Sequence, residues 1–515
     1  MDILTVHFAP ESISLMQRRN FLKSFGAAGA AVAAPALLTT ATSPVLKKNI
    51  ANLTLRGVIH NNGQGLAGVA VTDGVNIAVS DKNGRYELPS TNDTQFVYIS
   101  SPRGYQFPVH NGLARFYQPV TGKNGTFRAD FHLEKLPIDD RSHNFVVWAD
   151  PQIKTASDAE QLKTTTVPDL QALVQSYGPD TLFHAIGCGD LVWDRFELFD
   201  DYKQAVLDTG VTFFNVIGNH DLDLDARTDE YSSKTFRQHF GPTYYSFNRG
   251  DIHYVVLDDV FFIGAGRKYI GYLTERQLQW LEQDLALIPA GSTVILSLHI
   301  PTNTGDAQRT HKEEDISNVV SNRKQLYDLL APFKVHILSG HTHVSQNWEA
   351  GTIMEHNHGT VCGAWWTGPI CTDGTPNGYA VYEVSGSDLR WYYKATGKPK
   401  EHQLRLYARG KAAGFPEQVA ANVWNWDCKW TVEWFEDEVP KGAMERRAAL
   451  DPWAVELFAD KEHPKPYKFI APTLADHLFF ATPSPLAKNV TVKATDRFGN
   501  VFTETLKLWG GQNFF

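Results

Sequence analysis

The sequence predicts an α/β (α+β) fold in which a layered β-sandwich core flanked by helices lies between N-terminal and C-terminal all-β domains. Short apolar runs that end in polar residues are the first indication, since strands covered on both faces have this pattern. Helical patterns alternate with these runs, which is typical of layered α/β folds. Both ends of the chain instead carry β-branched and aromatic segments broken by Gly, Asn and Asp. The five central apolar runs are residues 145–148, 182–186, 213–217, 294–296 and 335–338.

Length and composition predict a globular chain with more than one domain, since it has 515 residues, 43% hydrophobic and 20% charged. The formal net charge of −9, without a long Lys/Arg cluster, argues against a broad nucleic-acid-binding surface. No specific nucleic-acid partner is therefore expected. The predicted boundaries are 1–48 for a signal and linker, 49–138 for an N-terminal Ig-like β-sandwich, 139–396 for the central domain and 397–515 for a C-terminal β-domain.

The N-terminal segment has the features of an export signal. Arg18 and Arg19 are followed by Asn20-Phe21-Leu22-Lys23, a run that resembles the twin-arginine motif R-R-x-F-L-K. The Ala-rich segment 27–38 is too short and too weakly apolar for a membrane span and fits a signal better. An ordinary basic amphipathic N-terminus is the alternative. We expect the twin-arginine export machinery to be a partner, and the protein to be periplasmic or secreted.

Turn, capping and periodicity patterns predict the elements of each domain. Thr274 and Gln277 have the spacing of a helix capping box. Asp81 and Asn83 are expected in a hairpin turn, with calcium binding as the alternative. The C-terminal tryptophans are expected in the core, with a carbohydrate platform as the alternative. We predict strands at 53–59 and 68–72, a turn at 81–86, helices at 157–177, 273–287 and 322–330, strands at 389–393, 424–430 and 490–495, and a hairpin turn at 496–500.

Cysteines and isolated histidines are given structural roles. Four cysteines are too few for a disulfide framework, and Cys362 and Cys371 either pair in an oxidising compartment or stay buried thiols. Two histidines within apolar runs, at positions 184 and 253, are expected in the core. His356 and His358 lie in an Asn/Gly-containing stretch, so we expect a loop surface, with the mouth of a substrate cleft as the alternative.

Five polar clusters follow the five central strands. Because the carboxyl ends of such strands share one edge of a sheet, the clusters are expected to converge there. Asp, Asn and His are hard and borderline metal ligands, so the sequence predicts a metal-binding pocket at this edge. The clusters are Asp150-Pro151-Gln152, Gly189 to Asp194, Gly218-Asn219-His220-Asp221, His299 and Gly340-His341-Thr342-His343.

This order of clusters resembles the calcineurin-like metallophosphoesterase superfamily, whose pattern is D-x-H, G-D-x-n-D, G-N-H-[DE], a lone H and G-H-x-H. Four of the five blocks match, and the first departs because Gln152 stands where the family has His. The flanking segments resemble a multi-domain subfamily with N-terminal Ig-like and C-terminal β-domains. The resemblance implies that residues 139–396 form a metallophosphoesterase catalytic domain with a layered β-sandwich core.

The resemblance also implies two divalent metal ions and a ligand set. A bridging Asp190 would serve both ions, with Asp150, Gln152 and His343 at one site and Asn219, His299 and His341 at the other. Among Mn, Mg, Fe and Zn we favour Mn, because a Gln oxygen replaces an imidazole nitrogen that Zn prefers. His220 and Asp221 are the predicted catalytic residues. The second shell or substrate wall would comprise Asp194, Trp365 and Trp366; either Asp194 or Asp221 would orient the His220 ring.

The predicted function is that of an exported dinuclear-metal phosphoesterase, which hydrolyses phosphate esters with a metal-activated water. The β-domains favour a polymeric or surface-bound substrate, and so diesters slightly over monoesters. One alternative is a non-catalytic protein that binds a surface or polysaccharide around a degenerate metal site, and Gln152 is its support. An exported nuclease is the other. The sequence leaves the native substrate and the oligomeric state open.

Overall fold

A computed structural model describes residues 52–122, 124–264, 266–459 and 467–508, with the backbone alone for residues 308 and 310. The predicted export signal lies outside these ranges. Within them, no helix combines the length and the apolar character needed to cross a membrane.

The N-terminal region is built from two small sheets whose apolar residues face each other. Leu55 on the first strand and Val71 on the third are fully buried in their common core. Asp81 accepts hydrogen bonds from the backbone N–H groups of Asn83 and Arg85, both at 2.8 Å, and so closes the predicted turn. The strands are β1 (Leu53–Asn61), β2 (Gln64–Gly65), β3 (Ala70–Thr72), β4 (Ile77–Val79), β5 (Arg85–Ser90), β6 (Phe96–Ile99), β7 (Val109–His110), β8 (Leu113–Ala114), β9 (Tyr117–Pro119), β10 (Gly125–Arg128) and β11 (Phe131–His132).

The central region contains two larger sheets. The first, seven-stranded, has the order β24-β23-β12-β13-β14-β8-β7, and the second, six-stranded, has the order β15-β16-β19-β20-β22-β21. The N-terminal hairpin β7–β8 thus extends the first sheet at its edge. The central strands are β12 (Ser142–Trp148), β13 (Phe183–Cys188), β14 (Thr212–Val216), β15 (Tyr245–Arg249), β16 (Ile252–Val256), β17 (Val260–Phe262), β18 (Tyr269–Gly271), β19 (Thr293–Ser297), β20 (Lys334–Ser339), β21 (Gln346–Ala350), β22 (Ile353–Asn357), β23 (Gly378–Ser385) and β24 (Asp388–Ala395).

These two sheets pack face to face and helices cover their outer faces. On β12, Phe145 and Val147 belong to the core between the sheets, whereas Val146 and Trp148 pack under helices on the outside. Both faces of the strand are therefore buried, as its continuous apolar sequence predicts. The layered α/β architecture that the sequence predicts is the architecture of the central region.

Helices lie at all three ranges where the sequence predicts them, 157–177, 273–287 and 322–330. Thr274 caps the sixth helix by accepting from the N–H of Gln277, but the Gln277 side chain bonds the backbone of Asp258 instead of closing the box. A π-helical turn, Leu162–Thr166, joins the first two helices. The central helices are α1 (Ala156–Gln161), α2 (Val167–Ser176), α3 (Phe199–Thr209), α4 (Asp229–Ser232), α5 (Lys234–Phe240), α6 (Glu275–Leu285), α7 (Asp306–Thr310) and α8 (Arg323–Leu330).

The C-terminal region is a sandwich of two four-stranded sheets, in the orders β25-β26-β30-β29 and β28-β27-β31-β32. The hairpin turn after β31 is present, with Asp496 accepting from the N–H groups of Phe498 and Asn500. The elements are β25 (Arg405–Tyr407), β26 (Val419–Asn422), β27 (Thr431–Glu436), β28 (Val439–Ala443), β29 (Glu445–Leu450), α9 (Pro452–Phe458), β30 (Leu474–Ala481), β31 (Asn489–Thr495) and β32 (Val501–Lys507).

The predicted strand at 424–430 is wrong. This segment is a loop that carries the chain from β26 in one sheet to β27 in the other. Asp427 is buried and accepts from the N–H of Lys429, so its side chain holds a turn against the β-propensity of the neighbouring tryptophans. Trp424 and Trp430 are both buried, as the core interpretation expects.

The expectation of a loop surface for His356 and His358 is also wrong. His356 lies within β22, and both residues are at most 4% exposed. The His356 ring contacts His336 and Asn347, while His358 bonds the carbonyl of Ser339 and the hydroxyl of Tyr382. Both therefore belong to the packed interior behind the sheet edge.

The other histidines and cysteines follow the structural expectation. His253 is buried between Asn248 and Asp284, and His184 lies among aromatic rings. Cys362 and Cys371 are buried free thiols, so the second alternative for this pair holds.

Candidate metal centre

The five polar clusters meet at one edge of the paired sheets. Asp150, Asp190, His299 and His341 each lie two residues beyond the end of a strand, and Asn219 lies three beyond. The strands β12, β13 and β14 run parallel in one sheet, and β19 and β20 run parallel in the other. Their loops consequently open on the same side.

Backbone conformations at this edge are unusual. Non-glycine residues with positive φ are uncommon and cluster at functional sites. Of the fourteen such residues in the described part of the chain, eight come from the predicted clusters and from the tryptophan pair beside them. They are Asp150, Gln152, Asp190, Asp194, His341, His343, Trp365 and Trp366.

Four side-chain atoms from four separate segments converge on one point. The Nε2 atom of His299 lies 3.0 Å from Oδ1 of Asn219, 3.3 Å from Oδ1 of Asp190 and 3.2 Å from Nδ1 of His341. Asp190, His299 and His341 form a group whose ligand atoms all lie within 4.8 Å of one another. Oxygen and nitrogen donors at this spacing suit a divalent transition metal.

Hydrogen bonds on the far side of each imidazole select the nitrogen that faces the centre. Nδ1 of His299 bonds the carbonyl of Cys188 at 3.0 Å, and Nδ1 of His343 bonds the carbonyl of Gly363 at 2.7 Å. Nε2 of His341 bonds the carbonyl of Ser317 at 3.1 Å. Because a carbonyl only accepts, each of these nitrogens carries the proton. The opposite nitrogen of each ring then faces the centre and would be the one to ligate a metal ion.

A second group of ligand atoms lies on the other side of Asp190. Its Oδ2 atom accepts a hydrogen bond from Nε2 of Gln152 at 3.1 Å, and Oδ1 of Asp150 is 3.6 Å from Nε2 of His343. The Oε1 atom of Gln152 is buried and has no hydrogen-bond partner among the described residues. A buried acceptor without a partner is costly, and a cation at this position would satisfy it. The two oxygens of Asp190 thus face two different groups of donors.

Burial and neighbouring charges shift the pKa values of the side chains at the centre, and a bound cation would counteract these shifts. Burial raises the pKa of Asp150 to about 8. Burial also lowers the pKa of His341 to about 3 and that of His343 to about 4. For His299, burial lowers the pKa, but the Asp190 and Asp150 carboxylates and the hydrogen bond to the Cys188 carbonyl together outweigh it and raise the pKa to about 10. A divalent cation would take the place of that His299 proton and would favour the ionised carboxylates.

His220 borders the centre from the loop after β14. Its Nδ1 atom lies 2.9 Å from Oδ1 of Asp194, and its backbone N–H donates to Oδ1 of Asp190. Asp190 and Asp194 together raise the pKa of His220 against the effect of its burial. Of the two carboxylates expected to orient this ring, Asp194 is therefore the one in contact with it.

Asp221 contacts the backbone instead of the His220 ring. It is fully buried and accepts from the N–H groups of Leu191, Val192 and Gly218. These bonds tie the loop that carries Asp190 to the loop that carries Asn219 and His220. Asp221 thus holds two ligand loops in register.

Sequence reasoning missed three further residues that shape the centre. Asp259 is fully buried and accepts from the N–H groups of His299 and Ile300. Ser317 and Asn318 contact Nε2 of His341 from a loop without any motif. The one available signal was Asp258-Asp259 directly after an apolar run, which repeats the strand-then-carboxylate pattern of the recognised clusters.

Glycines let the ligand loops approach each other. A Cβ atom on Gly189 would lie 2.3 Å from Nδ1 of His299, and its φ is +80°. A Cβ atom on Gly340 would lie 2.4 Å from Oδ2 of Asp150. Any larger residue would therefore push the ligand side chains apart.

Both predicted wall tryptophans lie beside the second group of donors. Trp365 stacks on His343 with ring centroids 4.1 Å apart, and Nε1 of Trp366 donates to the carbonyl of Pro151 at 2.8 Å. The C-terminal region contacts the loop that carries His343, because the hydroxyl of Ser345 donates to the carbonyl of Trp424.

Comparison with solved structures gives likenesses at low identity. A dimetal phosphatase from Danio rerio aligns with 49% of this chain and 96% of its own, at 15% identity and a TM-score of 0.34. Purple acid phosphatase PPD1 from yellow lupin seeds aligns with 64% of this chain and 67% of its own, at 13% identity and a TM-score of 0.36. A 5'-nucleotidase from Candida albicans aligns with 48% and 50%, at 10% identity and a TM-score of 0.28. Among curated proteins, none matches the chain.

Comparison with family models gives four consecutive matches. Residues 15–35 match the twin-arginine translocation pathway signal sequence, which marks the chain for export to the periplasm or beyond. Residues 53–136 match the N terminal of calcineurin-like phosphoesterase, 130–345 match calcineurin-like phosphoesterase itself, and 355–502 match its C terminal. Taken with the convergence of the five clusters on one sheet edge, these matches identify the chain as a member of the calcineurin-like phosphoesterase family, with the N-terminal and C-terminal domains of its multi-domain branch.

Proposed function

We propose that this protein is an exported phosphoesterase that uses two divalent metal ions and a metal-activated water to hydrolyse phosphate esters. One observation carries the proposal: the two oxygens of Asp190 face two groups of polar side chains gathered from four other segments of the chain. Membership of the calcineurin-like phosphoesterase family supports the reaction class.

The donor set fits two cations. Asn219, His299 and His341 would hold one ion, with Asp190 as the shared ligand. The other would be held by Asp150, Gln152 and His343 together with Asp190. When bound, such a pair of ions lowers the pKa of a bound water and offsets negative charge at phosphorus.

The remaining residues handle the proton and the leaving group. His220 is the general acid that protonates the leaving oxygen, and its ring borders the donor cluster without being one of its ligands. Asp194 holds the ring through Nδ1 and so leaves Nε2 free to face the substrate. Asp221 acts as a positioning residue, since its three backbone hydrogen bonds fix the loops that carry Asp190 and His220.

A preference for diesters over monoesters is the finer part of the proposal. Tyr467 and Phe469, from the segment before β30, lie against Trp193 and Trp365 beside the metal centre. This surface can contact one organic substituent on phosphorus; a diester carries two such groups, either of which can lie there, whereas a monoester carries only one. The C-terminal region thus extends the site beyond the phosphate.

We expect the purified protein with manganese to hydrolyse p-nitrophenyl phosphate and, faster, bis(p-nitrophenyl) phosphate. Removal of the ions with a chelator should abolish both activities, and added Mn²⁺ should restore them, because the water nucleophile depends on the ions. Release of p-nitrophenol measures each rate. If neither ester is cleaved with any divalent metal, the catalytic proposal is wrong, and a non-catalytic binding protein becomes the better interpretation.

Gln152 gives a prediction about the identity of the metal. Replacing its neutral oxygen with imidazole in Gln152→His should raise zinc affinity at one site by about tenfold, because zinc prefers nitrogen ligands. Competition against a chromogenic zinc chelator measures the change, and Gln161→His, an exposed position on α1, serves as the control. Two tightly held zinc ions per chain in the unaltered protein would contradict the manganese preference.

A further inference from the structure

Four aromatic side chains form a continuous surface beside the metal centre. Trp193, Trp365, Tyr467 and Phe469, here named the aromatic wall, come from three distant segments of the chain. Trp193 lies 4.8 Å from Tyr467 and 5.8 Å from Phe469, and Trp365 lies 4.8 Å from Phe469, all between ring centroids. The folded chain therefore assembles this surface, and no local motif encodes it.

The aromatic wall touches the proposed catalytic machinery at two points. Trp365 stacks on the imidazole of His343 at 4.1 Å. Trp193 lies 5.5 Å from the ring of His220, the proposed general acid. A group leaving phosphorus toward His220 would consequently move along the face of this wall.

The aromatic wall is also open to solvent. Phe469 is 56% exposed, and the other three rings are half-buried. Clusters of exposed aromatic rings at the edge of a polar cleft are typical of ligand sites, because their burial by a ligand is favourable. Among the described residues, the ring of Phe469 contacts the other three rings and still leaves over half of its surface exposed.

A lysine lies over two of the four rings of the aromatic wall. Nζ of Lys154 lies 3.9 Å from the ring of Trp193 and 4.6 Å from that of Tyr467, which is cation–π geometry. This ammonium group occupies faces of Trp193 and Tyr467, so the open surface for a ligand is the corner between Phe469 and Trp365, whose rings stand at 88°.

We propose that the aromatic wall is a subsite for a planar aromatic group esterified to the phosphorus of the substrate, an inference that rests on the proposed function. Two rings at nearly right angles let a flat ligand stack on one and meet the edge of the other, the two arrangements that aromatic pairs prefer. An alkyl chain gains no such geometry. The wall would hold the aromatic leaving group beside His220, and it would make Phe469 a specificity-determining residue supplied by the C-terminal region.

Binding of non-hydrolysable phosphonates tests the subsite without relying on turnover. The metal-loaded protein is titrated by calorimetry with phenylphosphonate, 2-naphthylphosphonate and octylphosphonate, whose P–C bonds water does not cleave. We expect 2-naphthylphosphonate to bind about tenfold more tightly than phenylphosphonate, because its second ring buries additional apolar surface. It should also bind more tightly than octylphosphonate.

Two phenylalanine variants in the C-terminal region distinguish loss of the subsite from the general effect of removing an aromatic ring. The naphthyl advantage is the ratio of the affinity for 2-naphthylphosphonate to that for phenylphosphonate. Phe469→Ala should reduce this ratio to about twofold, because the exposed ring is lost. Phe498→Ala removes a ring that packs on Trp391 instead, and should leave the advantage intact. Circular dichroism of both variants verifies folding, and Phe469→Leu offers a second variant that keeps bulk but removes the planar ring.

The outcomes that overturn the subsite differ from those that overturn the proposed function. Equal affinities for the phenyl and naphthyl ligands, octylphosphonate binding as tightly as the naphthyl ligand, or an advantage unchanged in Phe469→Ala would each refute the aromatic subsite. Absence of hydrolysis of every phosphate ester would refute the phosphoesterase proposal, while naphthyl-selective binding lost in Phe469→Ala would still support the subsite.

Discussion

Asp190→Ala is expected to lower kcat/KM for bis(p-nitrophenyl) phosphate by at least about 1,000-fold. Its two carboxylate oxygens face the two groups of donors, so the substitution removes a ligand from both proposed metal sites at once. Loss of ion-derived stabilisation of a few kcal/mol corresponds to about this factor. The backbone N–H of His220 also loses its acceptor, so the general acid is displaced together with the ions.

Metal content separates this prediction from simple misfolding. The variant should retain its circular dichroism spectrum yet bind fewer than two manganese ions per chain by elemental analysis. Asp180→Ala, at an exposed position on the loop after α2, is the matched control and should retain both ions and full activity. An Asp190→Ala protein that keeps two ions and more than a tenth of the activity would contradict the bridging role.

The sheet edge itself was predictable because each ligand loop follows a strand that is buried on both faces. Apolar runs such as 213–217 have no solvent-facing alternation, so the polar residues after them must emerge at a strand end. The order of five such ends, with Gly before Asp190, Asn219 and His341, specified which loops converge. Gly189 and Gly340 then permit the close approach of ligand side chains.

Residues that act through tertiary contacts were not predictable. The roles of Asp194 and Asp221 depend on distances between separate loops: one carboxylate contacts the ring of His220 and the other three backbone N–H groups. In the sequence, each follows a predicted ligand closely, Asp194 four residues after Asp190 and Asp221 two residues after Asn219. His356 and His358 look solvent-exposed locally, because their neighbours are Asn357 and Gly359. Pairing of β22 with β20 and β21 buries His356, and bonds to Ser339 and Tyr382 hold His358 in the interior.

The aromatic wall was also not predictable from the sequence, because it is assembled by contacts between distant segments. Trp193 and Trp365 belong to the central region, whereas Tyr467 and Phe469 come from the segment that precedes β30. Nothing in the local pattern around Phe469 distinguishes it from a core residue, and its exposure is a property of how the regions pack. The proposed subsite therefore arises from contacts between regions and has no sequence motif of its own.

His220→Ala should lower kcat by about 100-fold to 10,000-fold while leaving both metal ions bound. The ring of His220 is oriented by Asp194 at 2.9 Å, and none of the short contacts that join the donor atoms involves it. The variant therefore separates proton transfer from metal binding, which Asp190→Ala cannot do. Asp194→Asn should have a smaller effect, about tenfold, because the acid remains but its orientation is weakened.

The acidity of the leaving group decides whether His220 is a proton donor. A p-nitrophenolate departs without protonation, whereas an alkoxide requires it, so the loss in His220→Ala should be much larger for an alkyl ester than for the p-nitrophenyl ester. If the two losses are equal, His220 contributes only electrostatic stabilisation of the phosphoryl group. In that case the Asp194 contact would serve to hold a cationic ring over the substrate, and the proton would reach the leaving oxygen from solvent.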